Sequence, residues 1–478
     1  MSHCTRALII ALALAPVGIL PAQDTTTTAA DTSRSAPDST RCGFCHHPNV
    51  PVAIFEGILV NGMINRFNAW VRNDSTARVT PSTWKHNLDR GFDWDTDDFV
   101  VNMLLHPYGG SQYFQAARSN GLSYWASAPL VFLGSTEWEY FGETTRPSIN
   151  DLVNTGMGGI ALGEMFYRVA ATIRSNEASG GERFLRELAA LPFDPVGSVN
   201  RLFRGEWSRQ GPDPSEHNPG TMVLRLGAGA GVVRAPSSLQ EALKDATSST
   251  IGFADFKYGD AFIDPMRKPF DAFSMRILLA PGHGDLTQLT GTGRITGAEL
   301  GRGENFRNQI EFNQRFEYFN NGAFRFGGQT LELGLASRLN IAGNVWLRTE
   351  IAGDGIALAG IDAPGAGVGP RTYDFGPGVG ATITASLDHG AESYLTARFQ
   401  PAYVHTLSGA HADHYTTFAS IEANIPVLDQ LDLVAEGTYY DRVSHYADGA
   451  SNHRAFPEIW AFVTFKAATR ATAVRSER

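Results

Sequence analysis

The stretch QIEFNQRFEYF, residues 309–319, decides the fold. Ile310, Phe312, Phe316 and Tyr318 alternate with Glu311, Asn313, Arg315 and Glu317. A period of two sends successive side chains to opposite faces of an extended strand. The same texture returns in YLTARFQPAY (394–403), where Leu395, Ala397, Phe399 and Tyr403 alternate with Thr396, Arg398 and Gln400. It returns again in LDLVAEGTYY (431–440), where Leu431, Leu433, Ala435 and Tyr439 alternate with Asp432, Glu436 and Thr438. About ten to twelve such runs lie between residues 216 and 466, and most reach the roughly 9–11 residues that a tilted membrane-crossing strand requires. Strands of a soluble sandwich are usually shorter, about 5–6 residues. Charges such as Arg315, Glu317 and Arg398 sit in mid-strand on the polar face. That arrangement suits a water-filled or polar-packed lumen inside an apolar outer band.

The rest of the chain fits around this barrel. Net charge is −10, which argues against nucleic acid as a partner. Fifty glycines and 11% aromatic residues suit a turn-rich β protein. The chain opens MSHCTRALIIALALAPVGILPAQ, in which Arg6, an apolar core and Leu20-Pro21-Ala22 read as a signal peptide over residues 1–22. Residues 23–50 form a polar linker with almost nothing to bury. Residues 51–215 read as a helical module. AIFEGILVNGMINRFNAWVR (53–72) spaces Ile54, Ile58, Phe67 and Val71 near helical period, and DTDDFVVNMLLH (95–106) reads as a short helix that stops before Pro107. RQGPDPSEHNPG (209–220) marks the boundary, residues 216–466 the barrel, and 467–478 a tail. The expected fold class is α+β: an N-terminal helical module, then a C-terminal antiparallel transmembrane β-barrel of about 10–12 strands.

Two places carry candidate chemistry. In the linker, Cys42-Gly-Phe-Cys45-His46 is a C-x-x-C-H run. It leaves three readings open: a short disulfide between Cys42 and Cys45, a c-type haem with His46 as proximal ligand, or a metal knuckle that adds His47. In the helical module, Asp98, Asn102 and His106 recur every four residues, as do Glu139 and Glu143, so each set shares a helix face. A carboxylate buried in such apolar surroundings has a raised pKa unless paired, which suits general acid–base work. His plus carboxylates also suits a zinc or harder metal ion. The candidate catalytic residues are therefore His106, Glu139, Glu143 and Asp151. Structural alternatives stand beside them. Ser148 with Asp151 reads as a capping box. Glu139, Glu143 and Arg146 read as a buried ion network. Gly156, Gly159 and Gly163 read as close helix contacts, and Asp93 to Asp98 as a helix-starting acidic turn.

Residues 91–121 and 134–164 also resemble a family of bacterial outer-membrane proteins that carry a domain of unknown function. The elements that carry the likeness are His106-Pro107-Tyr108, Gly110-Ser111, Tyr113-Phe114, Trp138-Glu139-Tyr140, Glu143, Ser148, Asn150-Asp151 and Gly163-Glu164. The resemblance implies an envelope location and a barrel-linked fold, and no activity. A weaker local likeness joins Arg146, Ser148, Asp151 and Asn154 to VanZ-like membrane proteins, with the Asp-to-Asn spacing one residue short. FPEIWAFVTF (456–465) resembles the aromatic-rich last strand by which outer-membrane barrels are recognised for insertion. The expected partners are thus outer-membrane lipids and the barrel assembly machinery of a Gram-negative envelope. The helical module is expected in the periplasm or inside the lumen, where it plugs or supports the barrel. Three functions follow: a structural or transport barrel, an envelope enzyme acting on lipid or cell-wall material through the His/Glu cluster, and haem electron transfer.

Overall fold

The computed structural model describes Phe44 and residues 46–233, 249–280, 285–321, 324–363, 371–390 and 392–469. The signal peptide, Cys42, Cys45 and the end of the tail lie outside the described residues. Twelve strands pair antiparallel in chain order and β1 closes on β12. They are β1 Met222–Val233, β2 Ser249–Tyr258, β3 Phe273–Ala280, β4 Asp285–Arg302, β5 Phe306–Asn320, β6 Arg325–Ala342, β7 Val345–Asp362, β8 Tyr373–His389, β9 Glu392–His405, β10 Ala412–Leu428, β11 Leu431–Tyr446 and β12 Ser451–Thr469. The last strand runs three residues past the expected boundary at 466. Closure leaves no free edge, so every strand satisfies its backbone on both sides, the condition for crossing a bilayer.

One set of alternate positions faces inward, because its side chains meet across the barrel. Arg276 on β3 pairs with Glu436 on β11 at 2.9 Å and also with Glu422 on β10. Arg315 on β5 pairs with Glu317 at 3.0 Å, with Asp354 on β7 at 2.9 Å, and with Glu332 on β6. Arg348 on β7 reaches Asp260, in the β2–β3 connection, at 2.5 Å. Nearer the other end, Phe319 on β5 lies 5.5 Å from Phe418 on β10 and 5.9 Å from Tyr440 on β11, ring centre to ring centre. β5 and β11 stand opposite each other in the ring of twelve. The lumen is therefore spanned by the barrel's own side chains, ionic in the middle and aromatic at the end of the β5–β6 connection.

The other set of alternate positions faces outward and is apolar. Leu333, Leu335, Ile351, Ile383, Phe399, Ile421, Ile425, Leu433, Ile459 and Val463 are all exposed. Tyr403 and Tyr415 pack ring to ring at 5.2 Å at one border of this band. An apolar belt with an aromatic border is the surface that a membrane barrel offers to lipid.

Eight α-helices precede the barrel among the described residues: α1 Val50–Trp70, α2 Pro81–Asp89, α3 His106–Ser119, α4 Tyr124–Glu137, α5 Ile149–Val153, α6 Gly159–Ile173, α7 Gly180–Ala190 and α8 Pro195–Phe203. The helical module that plugs or supports the barrel is present, and it packs closely on the sheet. Phe99 stacks on Tyr318 at 5.7 Å, Trp94 stacks on Phe375 at 5.6 Å, and Gln314 donates to the Met157 carbonyl at 2.9 Å. Gln314 and Tyr318 alternate along β5 with Arg315 and Glu317, so the helices lean on one face of the strand and the Arg315 ion pairs with β6 and β7 occupy the other.

Inside the module, the packing inverts the usual order. α1 buries Ala53, Gly57, Val60, Asn61, Asn65 and Ala69 and exposes Phe55, Ile58, Leu59, Met63, Phe67 and Trp70. α7 buries Arg183 and Glu187, while α8 buries Arg201, which pairs with Glu187 at 2.6 Å and with Glu206 at 3.0 Å. A second buried network joins Glu164 to Arg118 and to Arg168, each at 2.8 Å. The expected helix stop at Pro107 is not found. A wide π-helical turn, Val101–Leu105, runs straight into α3, with Pro107 in its first turn. Proline has no N–H to give to the preceding turn, and the π-helical turn just before it is where the ladder already departs from i→i−4 bonding.

Candidate functional site

Three π-helical turns interrupt the helices of the module, at Val101–Leu105, Trp138–Gly142 and Asn154–Gly158. Such turns cost helix geometry and recur where a helix must re-aim side chains at a functional site. Here they meet at one place. The first delivers His106, the second carries Glu139, and the third carries Thr155. His106 Nδ1 lies 3.1 Å from Thr155 Oγ1, and His106 Nε2 lies 3.5 Å from Asp151 Oδ1. One ligand atom each from His106, Glu139 and Asp151 falls within 4.8 Å of the others. Glu139 and Asp151 are fully buried and His106 nearly so.

The surrounding amides orient this trio. Asn150 Nδ2 donates to Asp151 Oδ1 at 2.8 Å, and Asn150 Oδ1 accepts the Asp95 N–H at 3.0 Å. Asn102 Nδ2 donates to Asp95 Oδ1 at 2.7 Å and to the Tyr373 hydroxyl at 2.6 Å. Tyr373 belongs to β8, and its own hydroxyl donates to the Asp97 carbonyl at 2.9 Å. Arg371, just before β8, donates to the Asp95 carbonyl at 3.0 Å. The barrel wall thus supplies part of the shell around the site.

The charge balance is unusual. The expected ion network of Glu139 and Glu143 with Arg146 does not form, because Arg146 turns to the surface and pairs with Asp93 at 2.7 Å. Among the described residues no lysine or arginine pairs with Glu139, Glu143 or Asp151, and His106 is the one basic side chain in contact. Burial pushes the Glu139 and Asp151 carboxyls well above the usual carboxylate range; Asp151 adds to the effect on Glu139, and Asp95 to that on Asp151. Burial, then the Asp151 charge, push Glu143 up to about 8, against the pull of His106. One carboxylate oxygen of Glu139 accepts the Ser148 N–H at 2.7 Å, and the other has no partner. The capping box expected of Ser148 is not formed either, since its side chain makes no cap hydrogen bond and its N–H is taken by Glu139. A buried carboxylate oxygen without a donor is costly unless a proton or a cation meets it.

Other expected features fall as follows. Asp98 starts the helix by accepting from the Val100 and Val101 N–H groups at 2.9 and 3.0 Å. Gly159 meets Gly110 where α3 crosses α6, and Gly163 meets the Phe114 ring, so these glycines serve close packing. In the linker, His46 Nε2 lies 3.0 Å from Glu206, and the Phe44 ring sits 4.6 Å below the Arg209 guanidinium. Thr155, Tyr373 and Arg371 escaped the sequence reading. No spacing signals them, since Tyr373 is 271 residues from the Asn102 it contacts.

A closed twelve-stranded barrel with a lipid-facing belt and a charged interior defines an outer-membrane β-barrel protein, here with a helical module docked on it. Residues 91–196, which span the whole site, match the model of a domain of unknown function, DUF3943. No curated protein matches the chain. Among solved structures the chain is similar to the NanC porin, at 9% identity over 50% of this chain and 98% of that one, with a TM-score of 0.25. The KdgM porin gives 8% identity, coverage of 51% and 98%, and a TM-score of 0.24. Outer-membrane expressed OmpT of Vibrio cholerae gives 8%, 52% and 97%, and 0.23. Scores this low carry no argument, and the class rests on the strand pairing and belt of this chain.

Proposed function

We propose that the protein is an outer-membrane-anchored enzyme whose centre is a divalent cation held by His106, Glu139 and Asp151, acting on lipid or cell-wall material. The observation that carries this reading is the partnerless buried oxygen of Glu139 beside Asp151 and His106, with Glu143, Asp95 and Asp97 adding further negative charge and no lysine or arginine paired with Glu139, Glu143 or Asp151 among the described residues. A divalent ion supplies the missing positive charge. Three protein ligands leave a coordination position for water or substrate, as in catalytic zinc sites. Glu143, partly exposed at the edge and holding its proton to about 8, is placed to give a proton to a leaving group or take one from bound water.

On this reading the barrel is an anchor and a wall, with the module flanking it. The lumen argues for that division. An open pore needs a continuous aqueous path, whereas Phe319, Phe418 and Tyr440 touch across the barrel. The test is calorimetric titration of the detergent-purified, chelator-stripped full chain with Zn2+ and Mn2+. One ion is expected per chain, lost in His106→Ala and Glu139→Gln while the heat-modifiable gel mobility of the barrel is kept. Absence of binding in the wild type, with an intact barrel, sinks the metal reading. Equal affinity in Glu139→Gln would move the site elsewhere.

A further inference from the structure

We propose that the helical module is itself embedded in the bilayer beside the barrel, with lipid acyl chains against the exposed faces of α1, α7 and α8. The first observation is polarity. A water-facing helix turns its large apolar side chains to the core. α1 does the reverse, exposing Phe55 at 63%, Met63 at 57% and Trp70 at 76%, while Asn61 and Asn65 are buried. Asn61 and Asn65 donate inward to the Gly134, Ala77 and Gly142 carbonyls at 3.0, 2.9 and 2.7 Å. Small and amide side chains between helices, with bulky apolar ones outside, are the pattern of helices packed in lipid. α7 and α8 repeat it, with Phe184 and Phe203 exposed over the buried Arg183–Glu187–Arg201 network. Ionisable groups in a membrane pair with one another and face the bundle interior.

The second observation is continuity. The module leans on the strand face opposite the lumen, the same face that carries the apolar belt elsewhere on the barrel. A body docked on a lipid-facing wall must present lipid-compatible surface in its turn. The third is length. α1 has 21 residues and is apolar enough to cross a membrane. At about 1.5 Å per residue it spans roughly 30 Å, the thickness of a hydrocarbon core. An apolar face of this extent on a water-exposed module would be a large unshielded patch. Placement in lipid explains it with no further partner. Resting on the reading of the His106 centre, it also selects membrane lipid over cell-wall polymer as the substrate class.

The test uses the full chain with Cys4, Cys42 and Cys45 replaced by serine, folded into phosphatidylcholine vesicles. Single nitroxide labels go at Ile58 and Leu185, at Ile421 in the barrel belt, and at Asp74 as an aqueous reference. Collision with oxygen against a nickel chelate reads the environment. Ile58 and Leu185 are expected to match Ile421, oxygen-favoured and shielded from nickel. If they match Asp74 while Ile421 remains oxygen-favoured, the module is in water and the proposal fails. Should a label prevent folding, quenching by brominated lipid decides on the unlabelled chain. Trp70→Phe should then remove part of the quenchable emission, and an unchanged quenchable fraction refutes the embedding. Neither measurement involves metal, so loss of the metal reading would leave this result standing, and the converse.

Discussion

Glu143 gives the sharpest prediction. Its carboxyl has an ordinary midpoint of 4.5 and is held up to about 8 in the fold, by burial first and by the Asp151 charge second. Above 4.5 the unfolded chain has released this proton, while the native protein keeps it until about 8. The native state therefore binds more protons across that window, and its stability falls as pH rises. The contribution is fully present below 4.5 and is lost on passing 8. At about 1.4 kcal/mol per pH decade the ceiling is roughly 5 kcal/mol. Solvent at the partly exposed edge screens the group, and Asp151 and Glu139 share the same protons, so about 2 kcal/mol is the expected loss.

For a module of this size, a change of that order lowers the melting midpoint by about 4–8 °C. The assay is the helical circular dichroism melt of the full chain in detergent, at steps from pH 5 to pH 9, with chelator present. The described helices all belong to the module, so the transition followed at helical wavelengths reports the module. Glu143→Gln has no proton to lose and should flatten the slope. Adding the cation should reverse it, because a metal favours deprotonated ligands. A slope of equal size in Glu143→Gln would refute the argument and locate the titration in Glu139 or Asp151.

Three further outcomes follow from the packing. Arg315→Ala leaves Glu317, Glu332 and Asp354 facing one another without their cation and should cost about 3–5 kcal/mol, read as a lower urea midpoint of the barrel. The wild type should give no steady current in planar bilayers, and Phe319→Ala with Tyr440→Ala should admit one; steady wild-type conductance would overturn the occluded lumen. A methyl added at Gly110 meets the Thr155 carbonyl oxygen and the backbone of Gly159, so Gly110→Ala should destabilise the module by about 1–3 kcal/mol with barrel mobility unchanged.

The barrel was legible because strand periodicity is local. Arg315 and Phe316 declare opposite faces from their own neighbours, and repetition of the pattern implies closure. The face chosen by α1 was not legible. Ile58 and Phe67 mark an apolar stripe, but a stripe reads the same whether it meets a core or lipid, and only the burial of Asn61 and Asn65 decides. The cluster was half legible. Spacing on an ideal helix put Glu139 with Glu143 and Asp98 with His106. The three π turns break that spacing, so Asp98 caps the helix start and Asp151 takes the place beside His106. Arg146 was misread because an arginine seven and three residues after two glutamates looks like their partner, whereas the turn at Glu143 carries it out to Asp93.

The barrel also has a role in holding the site, and Tyr373 tests it. Outward positions on β6 and β7 carry Gly327 and Gly360 where a lipid-facing wall would carry a large apolar side chain. A methyl at Gly327 would sit 2.5 Å from Met103 Cε, and one at Gly360 would sit 2.9 Å from Met103 Sδ. The wall is thus recessed to receive Met103, inside the π turn that delivers His106. One residue earlier, Asn102 is tied to the Tyr373 hydroxyl on β8 and to Asp95. These two contacts fix the rotation of the turn, and the aim of the imidazole follows from it. Tyr373→Phe removes one hydroxyl and keeps the ring against Phe99 and Phe375. Loss of a hydrogen bond to a metal ligand typically costs about 10–100-fold in metal affinity, and Tyr373 reaches Asp151 only through Asn102 and Asn150, so the low end of that range applies. The expected result is weaker Zn2+ binding by that factor, with the helix melt nearly unchanged and the stoichiometry still one. Undiminished affinity would mean that the module organises its centre alone, and that the barrel only anchors it.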